Sequence, residues 1–136
     1  MNTITTLLII AASAQLAVAI INLRLERLLH WQTELAAMPL LLREVFHVHK
    51  WFISLTLAIF AVLTFRFASQ LASDPLGRWL AGGIAVFWGF RTVLQVAYYS
   101  SSHWRNDRAR TVAHITLLVL YGGMAALYAW TATGGN

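Results

Sequence analysis

Four apolar blocks, each long enough to cross a bilayer, take up most of this 136-residue chain. A crossing needs roughly 20 predominantly apolar residues, and helices are expected over about 3–30, 40–70, 75–102 and 108–131. Hydrophobic residues make up 59% of the chain and charged residues 11%, with a mean hydropathy of +0.64. A soluble domain of this size is closer to half apolar and a quarter charged. The expected architecture is therefore one domain, 1–136, an all-α integral membrane protein built as an antiparallel bundle of four transmembrane helices.

Local signals mark the helix ends. Thr3–Leu25 opens the chain, and Ala12-Ser13-Ala14 resembles a signal-peptide cleavage site. Secretory signals begin with positive charge, whereas nothing before Arg24 is charged, so a retained membrane helix is expected. Pro39 suits the first turn of a helix beginning near Leu40. Asp74-Pro75 is an N-cap acid followed by proline, and Asn106 or Asp107 is the next cap. The last helix is expected to fray into Gly134-Gly135-Asn136.

Orientation follows from the cations. Arg24, Arg27, Arg43 and Lys50 flank the first connection, and Arg105, Arg108 and Arg110 the third; only Arg66 and Arg78 flank the second. Because Lys and Arg favour cytoplasmic loops, this places both termini on the outer face of a bacterial-type inner (cytoplasmic) membrane, crossed several times. Trp31, Trp51 and Trp104 would line one interface, Trp79 and Trp130 the other. The net charge of +5 is thus explained without nucleic acid, which is not expected as a partner.

That topology gathers His30, His47, His49, His103 and His114 on the cytoplasmic face, with Glu26, Glu34, Glu44 and Asp107. Helical periodicity aligns Gln15, Asn22, Glu26 and His30 on the first helix. On the second it aligns Glu44, His47, Trp51 and Ser54. Turned inward, these stripes make a polar funnel. Arg91 lies roughly 3 Å from the midplane at a 1.5 Å rise per residue, where an arginine costs about 2.5–3.5 kcal/mol. Such residues usually face the bundle interior and mark a functional path.

A faint repeat, Arg43-x-Val-x-His47 and Arg110-x-Val-x-His114, suggests that His47 and His114 face each other. Facing histidines from two helices can hold a b-type haem axially. The expected cofactor site is then His47, His114, Arg91, Gln95, Tyr98 and Tyr121, with Gly89, Gly122 and Gly123 making room for the ring. Such a site would serve electron transfer or redox chemistry. A transition metal (Fe, Zn or Cu) on His47, His49, His103, His114 and Glu44, with Asp107, is the second expectation.

The alternatives need no redox cofactor. The funnel could bind a quinone, a lipid or another amphiphile through Arg91, Gln95, Tyr98 and His114, with Trp88 as an apolar wall, or the chain could be a small carrier. It could equally be a non-enzymatic accessory subunit that meets other membrane subunits or a second copy of itself. No cysteine is present, which excludes disulfides, thiolate metal sites and cysteine nucleophiles. No nucleophile elbow or Gly-rich phosphate loop appears, so no hydrolase is expected.

Overall fold

A computed structural model describes residues 2–98 and 107–135. Among these residues there are five helices and no strand: α1 (Thr3–Leu28), α2 (Gln32–Ala37), α3 (Leu40–Ser73), α4 (Pro75–Ala97) and α5 (Arg108–Ala132). The four long ones, α1, α3, α4 and α5, are each long and apolar enough to span a membrane. The chain divides into two compact units, Ile9–Arg66 and Met1–Leu8 with Phe67–Asn136.

In the first unit α1 stops in a Schellman motif. His30 takes a left-handed φ of 56°; its N–H donates to the carbonyl of Arg27, and that of Trp31 to the carbonyl of Glu26. Glycine usually fills this position because an L side chain crowds the next carbonyl there. The short α2 then follows, anchored by the buried Leu35. It was not expected from the sequence, where this stretch reads as a polar connection. Met38 is extended (ψ 148°), as the residue before a proline must be, and this ends α2. The N–H of Arg43 donates to the Pro39 carbonyl, so α3 starts directly after the proline.

The second unit begins where α3 breaks helical geometry at Phe67 (φ −125°, ψ 26°). Only Asp74 separates α3 from α4. It occupies the N-cap position with Pro75 behind it, as expected, although its side chain caps no N–H. Gly77 makes the abrupt reversal possible: a Cβ there would lie 2.1 Å from the Gln70 carbonyl oxygen.

Helices α4 and α5 make the extensive helix–helix contact of this unit. Ala81, Ile84, Trp88 and Gln95 are buried on α4, and Tyr121, Met124, Tyr128 and Thr131 on α5. This three-to-four-residue spacing is one helical face each. Small residues set the register. A Cβ on Gly82 would sit 3.7 Å from Ala132, and one on Gly122 would sit 3.8 Å from Thr92, so the pair is antiparallel. Gly89 and Gly123, expected to make room for a ring, have no such neighbours within 4 Å. The C-terminus of α5 does not simply fray. Gly134 is left-handed (φ 74°), and bonds from Gly134 to Thr131 and from Gly135 to Trp130 complete a second Schellman cap.

Several hydroxyls are bonded within their own helix. Ser13, Thr56, Thr92, Thr111 and Thr131 each donate to the carbonyl four residues back, at 2.7–2.9 Å. Each hydroxyl thus finds an acceptor within one turn of its own chain.

Candidate functional site

Each unit contains a polar cluster that ties two helices together. In Ile9–Arg66, the four-residue step from Asn22 to Glu26 puts both on one face of α1, while His47, Lys50 and Ser54 share a face of α3. The Asn22 amide donates to the Lys50 carbonyl (3.1 Å) and to Ser54 Oγ (2.8 Å). Lys50 Nζ donates to Glu26 Oε1, and His47 Nδ1 lies 3.2 Å from the same oxygen. The Lys50 and Glu26 side chains are only 12% and 16% exposed, so this ion pair is largely withdrawn from water. Lys50 was read from the sequence as an interfacial cation. Its position three residues after His47 and four before Ser54 was the signal that it shares their stripe.

The cluster in the other unit lies between α4 and α5. Arg91 Nη1 donates to Gln95 Oε1 at 3.0 Å, the i, i+4 spacing of neighbours on one helix face. The Gln95 amide nitrogen is 3.0 Å from His114 Nδ1 on α5. The Arg91 guanidinium sits over the Tyr121 ring, 4.8 Å from its centroid. Tyr121 in turn stacks on Trp88 at 5.2 Å, and Phe87 meets Trp88 edge-on at 5.4 Å. Trp88 is 1% exposed, Gln95 5% and Tyr121 6%. A cation–aromatic contact this dry is worth roughly 2 kcal/mol. The guanidinium is thus held from two directions, by an amide oxygen and by a ring face.

Of the residues expected to form a cofactor site, Arg91, Gln95, His114 and Tyr121 come together here. Tyr98 is the C-cap of α4 and 79% exposed. His47 belongs to the other unit, with Glu26 as its partner. Of the expected metal ligands, Glu44 is exposed and His49 Nδ1 donates to the carbonyl of Val45 in its own helix. Asp107 caps α5 by accepting from the Arg110 N–H and also pairs with the Arg110 side chain. His103 lies outside the described residues. Among the described residues no three His, Asp or Glu side chains converge as a metal centre would require. An open cavity of about 300 Å³ in the first unit is lined by Trp31, Glu34, Leu35, Met38 and Phe46.

Compared with protein families, with characterised proteins and with solved structures, the chain finds no match.

Proposed function

We propose that the protein is a small, non-enzymatic multi-pass membrane protein that binds a lipophilic ligand of the quinone class. In this reading α1, α3, α4 and α5 cross a bacterial-type inner membrane as an antiparallel bundle with both termini outside. The cluster on α4 and α5 holds the ligand's polar head. The observation that carries the reading is Arg91, fixed in an apolar helix pair by Gln95 and the Tyr121 ring beside His114. Guanidinium and imidazole N–H groups suit a ring carbonyl, and the stacked Trp88 and Tyr121 supply flat apolar surface.

This reading needs no haem on His47 and His114. Metal-ligating histidines commonly donate one ring N–H to an oxygen and ligate through the other nitrogen. The neighbour of His114 Nδ1 is instead the Gln95 amide nitrogen, at 3.0 Å.

A second reading, an accessory subunit whose cluster only pins α4 to α5, is favoured by a different observation. Every buried side-chain nitrogen and oxygen among the described residues has a hydrogen-bond partner. One comparison separates the two: melting of wild type and Arg91→Leu, each with and without a short-chain ubiquinone analogue. Ligand binding raises the wild-type melting temperature by linkage. Loss of a charge-assisted bond of about 1.5–3 kcal/mol weakens binding roughly 10- to 100-fold in the variant. Equal shifts in both proteins, or none in either, reject the ligand reading in favour of the accessory subunit.

A further inference from the structure

We infer that Gln95, oriented by Arg91, holds His114 with its hydrogen on Nε2, so that His114 acts as a hydrogen-bond donor and not as a ligand to a metal. Three side chains fix this choice. A guanidinium has donors only, so the Gln95 atom 3.0 Å from Arg91 Nη1 must be the amide oxygen. That leaves the NH₂ group toward His114 Nδ1, at 3.0 Å. An NH₂ group only donates, so Nδ1 accepts with its lone pair, and the ring hydrogen resides on Nε2. Turning the amide over would set NH₂ against the donor-only guanidinium and break the Arg91 bond, at a site where Gln95 is 5% exposed.

Gln95 is therefore a positioning residue that transmits a fixed choice from Arg91 to the histidine. The other described ring contacts run the opposite way. His49 Nδ1 faces the Val45 carbonyl and His47 Nδ1 faces Glu26, both acceptors, so those rings carry hydrogen on Nδ1. His114 is set apart by its neighbour and not by its own chemistry. Taken with the ligand reading above, on which this step rests, the group bound at Arg91 and His114 offers an acceptor oxygen. A ring carbonyl or a carboxylate fits; a hydroxyl that must donate does not.

The full-length chain, ¹⁵N-labelled at histidine and embedded in phosphatidylcholine nanodiscs, tests this by two-bond ¹H–¹⁵N correlation, which distinguishes protonated from lone-pair nitrogens. His114 is assigned by the cross-peaks lost in His114→Gln. The expected pattern is a lone pair on Nδ1 and hydrogen on Nε2. Gln95→Glu replaces the donor by a carboxylate, so Nδ1 should become protonated while Arg91 keeps an acceptor. Hydrogen on Nδ1 in the wild type, or an unchanged pattern in Gln95→Glu, overturns the inference. Should Gln95→Glu not fold, the wild-type spectrum alone decides.

Adding a short-chain ubiquinone analogue or oleate in turn distinguishes the carbonyl from the carboxylate source. A shift of the Nε2–H signal with either supports the acceptor assignment. The expected hydrogen placement with no shift from either probe retains the role of Gln95 and removes the acceptor-ligand assignment.

Discussion

Replacing Gly77 by alanine should destabilise the protein although the same change elsewhere in α4 should not. The new Cβ would lie 2.1 Å from the Gln70 carbonyl oxygen, 2.6 Å from its carbon and 2.7 Å from Leu71 Cα. Carbon–oxygen contacts normally stay near 3.3–3.6 Å, so the end of α3 and the start of α4 must part by about 1 Å. Overpacking costs typically 1–3 kcal/mol. The obstacle here is backbone, which cannot rotate aside, so about 3 kcal/mol is expected. Alanine's helix propensity returns up to about 1 kcal/mol, leaving about 2 kcal/mol of net loss. Gly83 is the control, since a Cβ there meets nothing within 4 Å; Gly83→Ala should gain up to about 1 kcal/mol. The two variants then differ by about 3 kcal/mol, roughly 10 °C in melting temperature on the scaling of soluble domains. Thermal melts of both in one detergent make the measurement. If they melt together, the close approach of Gly77 to α3 is not what shapes this turn.

Other outcomes follow from the ends and the polar cluster of the first unit. Glu26→Gln should cost about 1–3 kcal/mol by leaving the shielded Lys50 without its carboxylate. Adding Lys50→Met should recover most of that loss, and melts in which the two costs simply add would refute the pairing. His30→Gly should raise stability by about 1 kcal/mol, because glycine adopts the left-handed cap without strain; a lower melting temperature would mean the ring itself contributes. In a chain without native cysteine, Thr33→Cys should be shielded from an impermeant thiol reagent in intact cells and Ser73→Cys labelled. The reverse pattern would invert the proposed orientation.

The long helices were legible because apolar length is a property of composition alone. Helix α2 was not, since Gln32–Ala37 is under two turns and shows no period to detect. The polar clusters were half legible. Periodicity put Asn22 and Glu26 on one stripe and His47 and Ser54 on another, but it also drew in Trp51 and Glu44, which are exposed. A stripe drawn at steps of three and four cannot tell which edge of a helix its neighbour covers. Arg91 stood out through the cost of a charge in an apolar helix, and Gln95 one turn later followed. Three matching letters in five suggested that His47 and His114 face each other; in the structure the two lie in different units, beside Glu26 and Gln95 respectively. Nor could the sequence reveal that the Gln95 amide nitrogen lies 3.0 Å from Nδ1 of His114.

The hydroxyls bonded back into their own helices bear on biogenesis. Under the proposed topology each helix enters the bilayer as it leaves the ribosome, before its later neighbours exist. Ser13, Thr56, Thr92 and Thr131 bring their acceptors with them, so their desolvation is settled before any assembly. Asn22 is different: its partners Lys50 and Ser54 arrive only with α3. So is α4, the least apolar of the four spans. Arg91 can share its charge with Gln95 on arrival, but His114 and the Tyr121 ring come one helix later. A chain stopped before α5 would hold α4 in the membrane poorly, and its last helix would be what retains the one before it.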